Sequence, residues 1–282
     1  MRFFALAVVA ALTLAGPARA QLAQATLEEV DTHTTGSVFP GPREGETRNV
    51  WVWRPTNAPA TPLPVLYMAD GLDGVYVAVA HLQLLADAGA ISPFMVVSID
   101  PRPRPEQRAA EYVRSYPGGG DTYPVHERWF LEQVIPWAER TQRASPDRSQ
   151  RFIGGFSNGA DWALSMANDH PDVFAGALLH SPFGGSADWV GDRAGDMRWV
   201  ITGGMRETAG STQRGGALPR EIVTALERRS AQVRVCIGPW NHSGRPWREL
   251  SPGSLVWLMG LGDPAATAMP REQSFCRNPV AP

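Results

Sequence analysis

Ser157 lies in Gly155-Phe156-Ser157-Asn158-Gly159, directly after the short apolar run Arg151-Phe152-Ile153-Gly154. A serine in G-x-S-x-G after a strand sits on a sharp strand-to-helix turn that lifts its hydroxyl above the end of the sheet. A Cβ at either glycine would crowd that turn. The residues that follow, Ala160 to Ala167, have the apolar spacing of a packed helix, whose N-terminal dipole favours negative charge near the serine. The same five-residue pattern also occurs as an ordinary turn in glycine-rich chains, and this chain has 28 glycines. The strand, the helix and a downstream histidine together separate the nucleophile reading from the ordinary one.

A hydroxyl is a poor nucleophile near neutral pH and needs a base, a task suited to histidine. Among six histidines, His242 is placed best, in the loop Gly238-Pro239-Trp240-Asn241-His242-Ser243-Gly244 after the apolar run Val233 to Ile237. The chain order Ser, acid, His puts the base there. His180, at the end of a neighbouring predicted strand, is the alternative base, and its other reading is a structural hydrogen-bonder. His33, His81, His126 and His170 fall in an N-terminal segment or on predicted helices and lack metal-ligand spacing. The acid belongs between Ser157 and His242. Asp161, Asp169 and Asp172 belong to the nucleophile helix or its end. Asp188, Asp192 and Asp196 precede the next strand, and Glu221 and Glu227 ride the following helix. Elimination leaves Glu207, in Gly203-Gly204-Met205-Arg206-Glu207, whose other reading is a solvated loop glutamate. Acyl transfer also needs oxyanion donors. The backbone N–H of Asn158 is one candidate. The other is that of Leu72, with Gly71 the alternative, in the turn Asp70-Gly71-Leu72-Asp73-Gly74; two glycines there are equally read as tight packing.

These residues need a scaffold, and strand-like and helix-like segments alternate as in an α/β fold with a mostly parallel sheet covered by helices on both faces. The predicted strands are Thr47 to Arg54, Pro64 to Ala69, Phe94 to Asp100, Arg151 to Gly155, Gly176 to His180, Arg198 to Thr202 and Gln232 to Ile237. The predicted helices are Val75 to Ala88, Val125 to Thr141, Asn158 to Asp169 and Pro219 to Ser230, with a last one within Pro246 to Leu261. Proline and glycine between Pro101 and Tyr123 predict an irregular excursion, and Ser181 to Met197 reads as a second irregular stretch.

The N-terminus has a basic Met1-Arg2, an apolar stretch from Phe3 to Gly16 and a cleavage-like Ala18-Arg19-Ala20. This predicts a signal peptide over 1–20, export to the periplasm or medium, and one domain over 21–282. The apolar run is shorter than the roughly 20 residues needed to span a bilayer, and no later segment is long enough. The formal net charge is −2, or −4 once Arg2 and Arg19 leave with the leader. Nothing in that charge attracts nucleic acid or anionic lipid. All 26 basic residues are arginine, which excludes a Schiff-base lysine, a P-loop lysine and a Ser-Lys dyad. An exported location permits a disulfide between Cys236 and Cys276; two buried thiols are the other reading.

Taken in order, several segments resemble the "Putative esterase" family of α/β-hydrolases, which includes enterobactin-type siderophore esterases, S-formylglutathione hydrolase and mycolyltransferases. They are Pro64 to Gly71, Arg108 with Glu111-Tyr112, Phe130 to Trp137, Gly155 to Gly159, and His242 with Trp247 and Leu250. The resemblance implies an α/β-hydrolase fold and an exported serine esterase acting on a small-molecule ester without cofactor or metal. Ala160 stands where members often have a further glycine, and Asn158 where methionine or leucine is usual; both leave the backbone donor, and both leave the substrate assignment open. The exported siderophore esterases are nearest in layout. Some of them manage with a Ser-His pair, so triad and dyad both stay open for Glu207. Arg102, Arg104, Arg108 and Arg114 suit an anionic catecholate complex, or are surface charges, with Arg108 alternatively paired to Glu111. A feruloyl or acetyl-carbohydrate esterase is the second reading, with Trp189, Trp240 and Trp247 as stacking surfaces. A non-catalytic binding protein on the same fold is the third. Arg108, Trp240 and Trp247 are the substrate-binding candidates.

Overall fold

A computed structural model describes residues 26–207 and 217–278. The expected leader, 1–20, lies outside the described residues. The strands are β1 (Thr34–Pro40), β2 (Thr47–Trp53), β3 (Val65–Ala69), β4 (Met95–Ile99), β5 (Arg151–Phe156), β6 (Gly176–His180), β7 (Arg198–Gly204), β8 (Gln232–Gly238) and β9 (Cys276–Arg277). They form one sheet in the order β1-β2-β4-β3-β5-β6-β7-β8-β9. The strands from β4 to β8 in that order run parallel, and antiparallel pairs close the two margins.

Alternation along the inner strands divides their side chains between two cores. Val65, Tyr67 and Ala69 of β3 face one core and Leu66 and Met68 the other. The helix Asn158–Asp169 packs into the first through Trp162, Ala163 and Met166. The helices Gly71–Val79 and Pro252–Met259 pack into the second through Val75, Val79, Leu255 and Leu258. Because both faces are covered, these strands read in sequence as continuous apolar runs, the mark of a parallel sheet. No helix among the described residues is long and apolar enough to cross a membrane.

Several elements depart from expectation. The helix expected from Val75 begins at Gly71 and breaks into Gly71–Val79 and Gln83–Asp87. Gly74, which reads as a loop residue, is helical, and it is glycine because a Cβ there would lie 2.0 Å from the carbonyl oxygen of Ala69. The stretch expected to be irregular contains a helix, Pro105–Tyr112, with proline at its start, where the missing N–H costs nothing. The helix expected over 125–141 runs from Thr122 to Gln142 through a π-helical stretch at Phe130–Val134. That widened turn lies just before Pro136, whose ring would clash in a regular helix interior. The last helix is two, Gly244–Glu249 and Pro252–Met259. Strands β1 and β9 were not expected; β1 is a mostly exposed edge strand without an apolar run. Cys236 and Cys276 are paired across β8 and β9 and joined in a disulfide.

Candidate active site

Register brings the chemistry to one edge of the sheet. Phe156 pairs with His180, His180 with Thr202 and Thr202 with Cys236, so four parallel strands share a row at which β5 and β6 end and which β7 and β8 pass by two residues. Ser157, Ser181, Glu207 and His242 all follow that row, and Asp70, Gly71 and Leu72 follow β3 on the other side of β5.

Ser157 adopts φ 56° and ψ −129°, held by donation of its N–H to the His180 carbonyl at 2.9 Å. Its motif glycines are demanded by space. A Cβ at Gly155 would lie 2.4 Å from the backbone of Gly159, and one at Gly159 would lie 2.8 Å from Ala69 and 2.9 Å from the Asp70 carboxylate. Asp70 (φ 71°) and Ser181 (φ 52°) are also left-handed, so β3, β5 and β6 each lead into a strained non-glycine residue. Such residues cost about 1–3 kcal/mol each and cluster where function requires them.

On one side of the serine stands an acid–base relay. His242 Nδ1 lies 3.1 Å from Glu207 Oε2. The second oxygen, Oε1, accepts from Ser181 Oγ at 2.6 Å and from the N–H of Gly204 at 2.7 Å. Ser181 Oγ in turn accepts from Trp247 Nε1 at 2.9 Å. Glu207 is 9% exposed, and each carboxylate oxygen has a partner. With Nδ1 directed at Glu207, Nε2 is the nitrogen left to exchange a proton. Rings set the histidine's place: Trp247 stacks on Phe156 at 4.7 Å between centroids and meets His242 edge-on at 5.0 Å. Phe183 lies against His242 at 5.7 Å. His180 is fully buried, its ring nitrogens engaged with Thr202 and Ser251. Burial lowers its pKa to about 3, so it fills the structural role and is not the base.

On the other side lie the candidate oxyanion donors. Asn158 and Leu72 occupy the first turns of the helices Asn158–Asp169 and Gly71–Val79, where a helix offers its own N–H groups no acceptor. Leu72 is half-buried and Gly71 buried. The Asn158 side chain accepts from Arg108 Nη1 at 3.3 Å and donates to Asp161 at 3.3 Å. Asp161, fully buried, accepts from the N–H groups of Phe183, Gly184 and Gly185 at 3.0, 2.7 and 3.0 Å. Burial lifts its carboxyl to about 6 against the pull of those donors. Asp161 thereby ties the nucleophile helix to the loop that carries Ser181 and Phe183.

Three substrate-binding expectations need correction. Arg108 forms a two-bond fork with Asp70 at 2.5 and 2.8 Å and does not pair with Glu111, which is held by Arg48 and Arg102. Trp240 is 4% exposed, covered by Phe275 and Arg271, and offers no free face. Trp247, 6% exposed, is occupied by Phe156, His242 and Ser181. Arg102 is paired with Glu46, and Arg114 lies over Trp189 and pairs with Asp169. Ser181 and Phe183 escaped the sequence reading, and Asp161 entered it only as an acid set aside with the nucleophile helix. Their partners are residues far away in sequence or backbone N–H groups, which leave no local pattern. The described residues contain no group of His, Cys, Asp and Glu side chains able to hold a metal ion.

The sequence profile of the family described as "Putative esterase" matches residues 42–248. Among solved structures, a ferulic acid esterase superposes with a TM-score of 0.64 at 16% identity, covering 83% of this chain and 97% of that one. S-formylglutathione hydrolase from Staphylococcus aureus does so at 0.56 and 16%, covering 80% and 99%. The enterobactin esterase from Shigella flexneri follows at 0.53 and 17%, covering 76% of this chain and 56% of its own. At these identities the likeness is one of fold. No curated protein sequence matches the chain.

Proposed function

The chain belongs to the "Putative esterase" family, and from that membership we propose that it hydrolyses carboxylic esters through an acyl-enzyme on Ser157, with His242 as base and Glu207 as its orienting acid. His242 Nε2 takes the proton as Ser157 Oγ attacks the ester carbonyl. The N–H groups of Asn158 and Leu72 meet the oxyanion of the tetrahedral intermediate. Collapse expels the alcohol, protonated by His242, and water repeats the sequence to release the acid. Glu207 keeps Nδ1 protonated and balances the imidazolium.

The Glu207 to His242 contact, backed by Ser181, Gly204 and Trp247, is the observation that carries this reading. A binding protein on the same fold has no need of a buried carboxylate aimed at a histidine, nor of a strained serine at the same edge of the sheet. Export to the periplasm or medium is the localisation we propose, from the leader-like 1–20. For the substrate, an uncharged aryl or alkyl ester is favoured over an anionic siderophore complex. Of the four arginines suited to the anionic complex, Arg102, Arg108 and Arg114 are already matched by carboxylates, while Phe183, 39% exposed against His242, supplies an apolar wall.

A fluorophosphonate probe tests the nucleophile. It should modify Ser157, and Ser157→Ala should lose both labelling and turnover while keeping its fold; labelling retained in that variant refutes the assignment. Rates on p-nitrophenyl esters, aryl feruloyl esters and a ferric tris-catecholate trilactone then rank the substrate classes. The trilactone turning over fastest would restore the siderophore reading.

A further inference from the structure

Asp70 and Ser157 are non-glycine residues at positive φ, just beyond the neighbouring strands β3 and β5. Arg108 reaches the surroundings of both. Its Nε and Nη2 form the fork with the Asp70 carboxylate at 2.5 and 2.8 Å. Nη2 also donates to the Phe156 carbonyl at 3.3 Å, and Nη1 to Asn158 Oδ1 at 3.3 Å. The residues on either side of Ser157 are therefore tied to the residue just before Gly71 and Leu72. One turn further along the same helix, Tyr112 Oη accepts the N–H of Asp70 at 3.2 Å, and its ring lies 5.3 Å from the guanidinium.

We propose that Arg108 is a positioning residue that sets the spacing between the two halves of the oxyanion site, the N–H of Asn158 on one side and those of Gly71 and Leu72 on the other. The inference rests on the acyl-transfer reading above. Donors lower the barrier only when they are fixed where the oxyanion forms. Here they come from two turns on separate strands, each containing a left-handed residue that relaxes unless it is held. A guanidinium is a rigid planar fork and can transmit a fixed separation between two partners; an ammonium is a point charge on a flexible stem and cannot. Burial works against the charge of Arg108, and the Asp70 carboxylate overrides it, leaving the guanidinium more basic than usual. Gly159 makes the arrangement possible, because any Cβ there would strike the Asp70 carboxylate at 2.9 Å.

The decisive variants are Arg108→Lys and the double variant Arg108→Gln with Asp70→Asn. A single neutral replacement leaves a buried charge unpaired and threatens the fold, whereas the double variant removes both charges. End-point fluorophosphonate labelling counts competent sites, so misfolded material cannot mimic a slower enzyme. On a p-nitrophenyl ester, kcat per labelled site should fall by about 10²-fold in the double variant, the scale of losing one oxyanion donor. KM should stay within about threefold, and the affinity for an aryl boronic acid, which forms a tetrahedral adduct, should fall in parallel with kcat. Arg108→Lys should lose at least about tenfold in kcat despite keeping its charge. A double variant with near-normal kcat, or a loss confined to KM, overturns this inference while Ser157→Ala remains inactive. Turnover surviving in Ser157→Ala would instead overturn the acyl-enzyme reading and this inference with it.

Discussion

The half of the site that holds His242 is built from rings and short hydrogen bonds, and the half that holds Asn158 and Leu72 is built around buried charge. In the first, Phe156, Trp247, His242 and Phe183 pack in sequence, and contacts of this kind contribute about 0.5–1.5 kcal/mol each beyond their burial. In the second, Arg108 and Asp70 face each other with side chains 21% and 8% exposed, and removing one partner of such a pair costs about 3–5 kcal/mol. The difference is one of failure mode. An aromatic relay loosens by degrees as groups are trimmed, whereas a buried ion pair holds or breaks.

Four measurements can sharpen or break this contrast, the first aimed at the single carboxylate within the relay. Glu207→Gln keeps its shape but loses the charge that balances the imidazolium, so kcat should fall by about 10⁴-fold. Asp192→Asn and Asp196→Asn, on exposed side chains, should leave it unchanged. A loss below about tenfold would mean a Ser-His pair suffices. Next is the covalent staple beneath the relay. Cys236 and Cys276, 40 residues apart in sequence, cluster with Trp240 just before His242. Replacing both with serine should lower unfolding free energy by up to about 4 kcal/mol on the chain-entropy estimate, with kcat preserved in the folded fraction. A collapse of kcat in fully folded protein would show that the relay depends on the staple directly.

Asp161 links the halves, and its pH dependence has a definite sign. Its carboxyl is raised by burial from 3.8 to about 6, so the folded protein holds the proton over a range where the unfolded chain has lost it. The stabilisation is complete below about pH 4 and is lost as pH rises through about 6, up to about 3 kcal/mol. Denaturant titrations of wild type against Asp161→Asn should show the wild type losing ground over that interval. The opposite slope would mean that the N–H groups of Phe183, Gly184 and Gly185 outweigh burial. The smallest effect is expected from Trp247→Phe, which keeps a ring beside His242 and deletes the donor to Ser181. A drop in kcat of about tenfold with stability nearly unchanged fits a graded relay. Loss of the folded protein would place Trp247 in the all-or-none class with Arg108.

Much of the scaffold was legible because the inner strands are mostly apolar runs between turn residues, while Thr47–Trp53 and Gln232–Gly238 carry polar residues among apolar ones. What escaped had a physical reason in each case. Strand β1 is exposed and lacks an apolar run, and β9 is a two-residue strand whose place depends on Cys236. The helix Pro105–Tyr112 was hidden by Pro105, a breaker inside a helix but a favoured residue at its first turn. Within the site, G-x-S-x-G is a local pattern and the order of serine, acid and histidine a chain-level one, so Ser157, Glu207 and His242 were all open to selection. Arg108 reads in sequence as a substrate contact or as a partner of Glu111, since nothing in Arg108-Ala109-Ala110-Glu111 reveals that Asp70 holds it and that Glu111 is held by Arg48 and Arg102.

By itself the sequence determined the elements and the candidates, because propensity, periodicity and motif spacing act over a few residues at a time. It also removed whole chemistries, since a chain without lysine has no amine side chain to offer as a nucleophile or Schiff base. Only the tertiary structure decided which candidates meet. Parallel register aligned Phe156, His180, Thr202 and Cys236 in one row, and that row delivers Glu207 to His242 from 35 residues away. The fork between Arg108 and Asp70 likewise joins residues 38 apart. Such pairings are set by how strands stack and helices cross, and no local spacing encodes them.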